Sequence, residues 1–428
     1  MTWGPRVALA ASALALAAGA PHVGATARQD ARAAIQALVE RRADALMQRD
    51  RAAFLATVSP SSPAFLRRQE KLFDWIADVP LASYELTVRW DRVGDLARQQ
   101  DRVRYPSASD VAIPLTEERY RIEGYDERPA IEDMYFTFVK EEGRWKVAGD
   151  SDLDDLALYS GRHLWDFGPV IAQTEGRFLL LSHPCGYDGV GPNRAGPCVR
   201  LNPEILEFAG RELDLVERYW KAPWEGEVVV VAPATEGELR RMLQATFDLG
   251  KFVAFAYATV DANRGLDFTG NRIVLNSAAL SGRSSPTTSR VLAHELLHIV
   301  TRRASGPFVP VFVEEGFAEY VSYDGSPWLS FLRGEVAAGR FDGRLPRDFE
   351  FLTGGGTEIY RSYQEAQSAV VYFIDRWGLE RFARFYRILG STGAAAGSTR
   401  FHVDRALRRA TGESYKTFQE GWASSLTG

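Results

Sequence analysis

His294-Glu295-Leu296-Leu297-His298 places two imidazoles and a carboxylate within five consecutive residues. On an α-helix, side chains four apart share a face, roughly 5–6 Å from each other at Cβ. That spacing lets both histidines meet one Zn²⁺ at about 2.0–2.1 Å, while Glu295 can reach a water on the metal and act as its general base. The flanking Val291, Leu292, Leu296, Ile299 and Val300 are apolar, and Gly and Pro are absent from 287 to 304, so the stretch is predicted to be helical. Two histidines leave a tetrahedral zinc short of a third protein ligand.

A candidate lies in Phe312-Val313-Glu314-Glu315-Gly316-Phe317-Ala318-Glu319-Tyr320. If this segment is helical, Glu315 and Glu319 share a face and Glu314 points elsewhere. The expected division of labour gives Glu315 to the metal. Glu319, one turn on, is then free to accept the second N–H of a ligating histidine and fix its tautomer.

Beyond these residues the chain resembles the gluzincin zinc metallopeptidases, in particular the bacterial peptidase MA-like group. The resemblance rests on the zinc motif, the spacing to Glu315 and the run Glu-Gly-Phe-Ala-Glu-Tyr from 315 to 320. Arg272-Ile273-Val274-Leu275-Asn276 is similar to the strand that precedes the zinc helix in that group, and the stretch from Gly412 through Phe418 to Trp422 to its closing helix. Roughly residues 172–426 are covered. The resemblance implies that Tyr363, opening Tyr363-Gln364-Glu365-Ala366, hydrogen-bonds the oxyanion; Tyr360 competes for that role, and an ordinary packing aromatic is the plain alternative. One departure is informative. Gluzincin aminopeptidases hold the substrate's free amine with a glutamate in a Gly-x-Met-Glu-Asn segment. The positional match here, Phe252-Val253-Ala254-Phe255-Ala256-Tyr257, carries no acid. The reading is therefore a zinc metallopeptidase that cuts peptides or proteins internally. Two alternatives stay open: a non-catalytic zinc-binding protein on a gluzincin frame, and a zinc amide hydrolase of non-protein substrates.

A chain of 428 residues accommodates two or three domains, and a net charge of −5 from 51 basic and 56 acidic residues leaves no electrostatic footprint for nucleic acid. Residues 1–25 read as an export signal, with Arg6 ahead of the alanine-rich run Val7–Ala20 and a small-residue cleavage site, Val23-Gly24-Ala25. The run is too short to span a bilayer comfortably, and no later segment reaches 18 uninterrupted apolar residues. The expected product is a secreted or periplasmic protein without a membrane span. Its two cysteines, Cys185 and Cys198, are flanked by Gly and Pro and suit a loop-closing disulfide worth about 3 kcal/mol. Unlinked thiols, or a metal site with His183, are the alternatives.

The expected class is α+β. Residues 26–160 read as a helix over 27–57, a second helix from Pro63 to Ala77, then strands over 83–91, 112–122, 134–139 and 144–147. The polar loop Lys140–Gly143 joins the last two as a hairpin. That element order resembles the nuclear-transport-factor-like cone, helices followed by a curved antiparallel sheet. Asp150, Asp152, Asp154 and Asp155 lack the Gly and Glu of an EF-hand and read as a solvated linker. Residues 172–285 give the order β-α-β-α-β-β, a small mixed sheet whose edge could take an extended peptide. Thr235 and Glu238 form a capping box there. Residues 286–428 carry the zinc helix and a mainly helical remainder, with an apolar stripe from Ala366 to Trp377 stopped by Gly378. Gly354-Gly355-Gly356 reads as a flexible loop near the cleft.

Overall fold

The computed structural model describes residues 25–184, 187, 202–261, 267–280, 283–306, 308–391 and 398–428. Both cysteines and, except for Ala25, the expected export segment lie outside these. The chain opens with α1 (Ala25–Met47), α2 (Arg51–Ala56) and α3 (Pro63–Trp75). The single helix expected over 27–57 is broken at Arg49, which adopts φ 57°, and is restarted by Asp50, whose carboxylate accepts the Ala53 N–H at 2.9 Å. An aspartate N-cap satisfies a donor that every helix start leaves open, which favours a new helix over continuation.

Next come β1 (Leu81–Val88), α4 (Gln99–Arg104), β2 (Asp110–Ala112), β3 (Thr116–Ile122), β4 (Ala130–Met134), β5 (Thr137–Glu141) and β6 (Arg144–Gly149). Instead of one curved sheet they form two three-stranded antiparallel sheets, β1-β3-β4 and β2-β5-β6. The strand expected over 112–122 is divided between them at Pro114, which has no N–H to continue a ladder. The strand expected over 134–139 also divides, and Tyr135 donates its N–H to Ser160 Oγ at 2.9 Å. The β5–β6 hairpin forms, but its turn is only Glu142-Gly143, with φ 48° and 77°, so Glu141 pairs with Arg144. Both central residues thus have the positive φ that a tight hairpin turn demands.

The acidic cluster is only half solvated. Asp154 and Asp155 are exposed, but Asp150 and Asp152 are buried. Asp150 accepts from Arg68 at 2.6 Å and Arg162 at 2.7 Å, and Asp152 from Tyr105 and Thr137, each at 2.6 Å. Partners recruited from elsewhere in the fold make that burial tolerable.

The second part contributes β7 (Ile171–Glu175), β8 (Phe178–Ser182), α5 (Asn202–Tyr219), β9 (Val228–Ala232), α6 (Glu236–Met242), β10 (Ala254–Asp261) and β11 (Asp267–Leu275). They build one mixed sheet in the order β10-β11-β9-β8-β7, with β8, β9 and β11 parallel and the two edge strands antiparallel. The capping box forms as expected, Thr235 Oγ1 accepting the Glu238 N–H at 3.2 Å. Side chains alternate between faces along each strand. Leu180, Val228, Val230, Ile273 and Leu275 pack with the helical part. Leu179, Leu181, Val229, Val231 and Val274 pack with Leu46, Phe54, Phe73, Ile122 and Trp165 of the first part. Burial on both faces explains the unbroken apolar run Val228–Val231. The N-terminal part therefore completes the cover of the sheet.

The remainder is helical: α7 (Ser277–Leu280), α8 (Ser285–Thr301), α9 (Val311–Ser322), α10 (Ser330–Ala337), α11 (Gly356–Trp377), α12 (Leu379–Gly390), α13 (Thr399–Thr411) and α14 (Tyr415–Thr427). Phe317, Phe373, Phe382, Phe385, Tyr386, Phe418 and Trp422 fill the centre between them. Gly355 caps α11 and Gly356 begins it, so two of the three glycines expected in a loop belong to a helix start. Among the described residues, no helix is long and apolar enough to cross a membrane.

A buried pair in the first part sets a pH dependence. His163 Nε2 lies 2.5 Å from Glu118 Oε2, and Tyr84 donates to the other Glu118 oxygen at 2.5 Å. Burial pulls the imidazole down, but Glu118 outweighs it and holds His163 at about 9. Burial pushes the Glu118 carboxyl up, and His163 and Tyr84 bring it below its ordinary value. The native state therefore keeps a proton on His163 that the unfolded chain loses from about pH 6.5. Its contribution is full below that pH and disappears as pH rises through 9; the Glu118 contribution is lost as pH falls below 4.5. The stability lost in His163→Gln, read from urea midpoints, should be larger at pH 6 than at pH 9.5. Equal losses at both would remove the pair as the cause.

Candidate metal centre

α8 begins after the extended Ser284 and tolerates Pro286 in its first turn, where a missing N–H costs nothing. Leu292, Leu296, Leu297, Ile299 and Val300 bury its apolar side in the central core. His294 and His298 share another side, directed at α9. That helix starts at Val311, whose N–H is accepted by Asp348 Oδ1 at 2.9 Å. Its fourth and fifth residues are glutamates, and Glu315 is fully enclosed.

His294, His298 and Glu315 meet in one cluster. The two Nε2 atoms are 3.2 Å apart, and Glu315 Oε2 lies 3.0 Å from that of His294 and 3.6 Å from that of His298. Ligands at about 2.0–2.1 Å in a tetrahedral shell stand roughly 3.3 Å from one another, so this triangle fits a metal of zinc's size. A second observation agrees: Glu315 Oε1 is buried and has no hydrogen-bond partner. An ionised oxygen so placed is costly unless a cation neutralises it. Glu319 Oε1 stands 3.1 Å from His294 Nδ1, behind the ring, and turns Nε2 toward the other ligands.

The electrostatics follow from crowding. Burial pushes the Glu315 carboxyl up, and the two imidazoles pull it down. Burial pulls His294 down, and its bonds to Glu315 and Glu319 reverse this and raise it to about 10. Burial takes His298 down to about 4.

Glu295 follows His294 around the helix and is buried. Tyr363 comes from the middle of α11, its ring 6.2 Å from that of His294 and 5.3 Å from that of Phe351. Burial pushes its phenol well above the usual range, with Glu315, Glu295 and Glu319 adding to the shift, so it keeps its proton and remains a donor. Tyr360, one turn earlier, is half-exposed and its hydroxyl is held by Gln364 Nε2 at 2.9 Å.

Two supporting residues escaped the sequence reading. Arg302, just past α8, is buried; one Nη donates to the Ala256 carbonyl at 2.9 Å and the guanidinium lies 5.2 Å from the Phe268 ring. It ties the end of the histidine helix to β10. The other is Gly316. A Cβ there would stand 2.7 Å from the Ala366 carbonyl carbon and 2.8 Å from Val370 Cγ2. α9 and α11 thus cross at a distance only glycine allows, and that crossing sets Tyr363 against Glu315 and His294. A glycine inside a helix costs roughly 1 kcal/mol, a signal in the sequence that packing requires it. Gly316→Ala should destabilise the fold by about 1–3 kcal/mol in chemical denaturation. An alanine variant as stable as wild type would show that the crossing is not tight.

No protein-family model matches the chain. A stretch of 157 residues is 30% identical to Siroheme synthase 2 of Aeromonas salmonicida (strain A449), covering 33% of this chain and 31% of that protein. The chain thus spans less than a third of that relative's length, too little to define a shared family or activity.

Proposed function

We propose that the protein is an exported zinc metallopeptidase of the gluzincin kind that hydrolyses internal peptide bonds. The observation that carries the reading is the His294–His298–Glu315 triangle with Glu295 on the same helix and Glu319 behind His294. Two imidazoles and one carboxylate suit zinc and are the ligand set of catalytic sites that keep a coordination position open. When bound there, the metal supplies Lewis-acid polarisation of a carbonyl and acidification of a water. Glu295 takes the proton from the attacking water and returns it to the departing amine. Tyr363, kept neutral by burial among carboxylates, donates a hydrogen bond to the oxyanion. The segment 252–257 offers no acid to hold a free amino terminus, which favours internal bonds.

The test is metal content measured beside hydrolysis of an unfolded protein substrate. About one zinc per chain is expected after metal-sparing purification, and Glu315→Ala and His298→Ala should lose it. Chelation should lower the melting temperature, since a metal at 100 times its Kd contributes about 2.7 kcal/mol. A wild-type protein that takes up no zinc and is insensitive to chelator would overturn the reading.

A further inference from the structure

Next to the metal centre the surface is aromatic. Tyr323 ends α9 one turn beyond Glu319, Tyr360 stands one turn before Tyr363 on α11, and Trp328 and Phe331 lie at the start of α10. Trp328 is 57% exposed and Tyr360 44%. Single exposed aromatics are ordinary, but these are grouped and held. The Phe331 and Tyr360 rings are 5.3 Å apart. One buried amide fixes the set: Gln364 Oε1 accepts the Leu332 N–H at 3.0 Å, and its Nε2 donates to the Trp328 carbonyl at 2.5 Å and the Tyr360 hydroxyl at 2.9 Å. A side chain 4% exposed therefore uses three hydrogen bonds to hold the backbone at Trp328 and Leu332 and the hydroxyl of Tyr360, on the two residues whose rings face solvent.

The group is continuous with the metal centre. Gln364 directly follows Tyr363, whose ring lies 6.2 Å from that of His294. Glu319, bonded to His294, is also close enough for its charge to raise the phenols of Tyr323 and Tyr360, after burial has done so.

We propose that Trp328 and Tyr360, positioned by Gln364, form a shelf that receives a bulky apolar side chain of the substrate peptide beside the bond to be cut. The inference rests on the peptidase reading. Flat rings bury aromatic or large aliphatic groups over a wide area, and a ring held like that of Tyr360 loses little freedom when it does so. The carboxylate of Glu319 at the inner end of the shelf disfavours an acidic residue. Selectivity is thus for Phe, Tyr, Trp, Leu or Met over Gly, Asp or Glu.

The test uses the full-length zinc-loaded protein and internally quenched peptides, blocked at both ends, that differ in one residue, Phe or Gly, next to the cleaved bond. An apolar subsite discriminates by about 10- to 200-fold, so kcat/KM should favour the Phe peptide by at least about tenfold. In Trp328→Ala and Tyr360→Ala, with zinc content unchanged, that ratio should fall toward one, chiefly through KM. The same pair of labelled peptides is also titrated into Glu295→Gln, where binding is read without turnover by fluorescence anisotropy. Cleavage with no preference, or with a preference both variants keep, overturns the shelf and leaves the peptidase. A preference in binding that Trp328→Ala abolishes, without cleavage by wild type, keeps the shelf and overturns the peptidase. Equal binding of both peptides to Glu295→Gln overturns the shelf whatever the activity.

Discussion

Glu295→Gln is expected to leave the metal content at the wild-type level and to cut peptide hydrolysis by about 10²- to 10⁴-fold. The expectation follows from where Glu295 stands. It is not a member of the triangle formed by His294, His298 and Glu315, so removing its charge takes no ligand away. It lies beside His294 on the same helix, and its charge adds to those that hold the Tyr363 phenol up, so it faces the same small space. Glutamine keeps the shape and cannot accept a proton. Ligand variants should fail differently: Glu315→Ala leaves two imidazoles that hold a metal poorly, and content and activity should fall together. Metal analysis and a fluorogenic peptide assay on the same preparations separate the two outcomes. Wild-type turnover in Glu295→Gln would transfer the base to another group.

How far the site could be read in advance depended on sequence distance. The pairing of His294 with His298, and of Glu315 with Glu319, follows from helical phase within one or two turns. That Glu319 approaches the outer nitrogen of His294, and Glu315 the inner one, needed only the further assumption that two helices face each other. Features set by distant partners were not legible. Asp150 and Asp152 look like linker acids because Arg68 lies 82 positions from Asp150. The splitting of strands at Pro114 and after Met134 depends on which sheet each half joins. Pro114 gave a cue, but Met134-Tyr135-Phe136 has the composition of a continuous strand. Val228–Val231 was readable as a buried strand, yet nothing local says that residues from α1, α2 and α3 cover one of its faces.

That shared cover leads to the largest expected effect on stability. Arg272 of β11 and Asp126, between β3 and β4, form a buried two-bonded pair, with both N–O distances 2.7 Å. Asp126 Oδ2 also accepts the Ile122 N–H at 2.7 Å, and the guanidinium lies 5.8 Å from the Tyr120 ring. Neighbouring contacts join the same elements: Tyr257 donates to Glu132 at 2.7 Å, and Ile131 N–H to Thr259 Oγ1 at 2.9 Å. Arg272→Met keeps the apolar stem and leaves Asp126 charged, buried and without its cation. The cost of breaking such a pair is about 3–5 kcal/mol, more than a single truncation at the surface. Replacing both partners removes the stranded charge, so Arg272→Met with Asp126→Asn should lose less than the two single variants added together, by about 0.5–3 kcal/mol. Guanidinium unfolding of all four proteins gives the cycle. Additive losses, or an Arg272→Met variant within about 1 kcal/mol of wild type, would mean that the pair does not hold the N-terminal part to the sheet. Because β11 is bonded to β10, and β10 is tied through Ala256 to Arg302 at the end of α8, loosening this pair should also weaken zinc retention in the folded protein. Dissociation of zinc into a chromogenic chelator, faster in Arg272→Met than in wild type at a denaturant concentration where both stay folded, would show the two parts of the chain acting on one site.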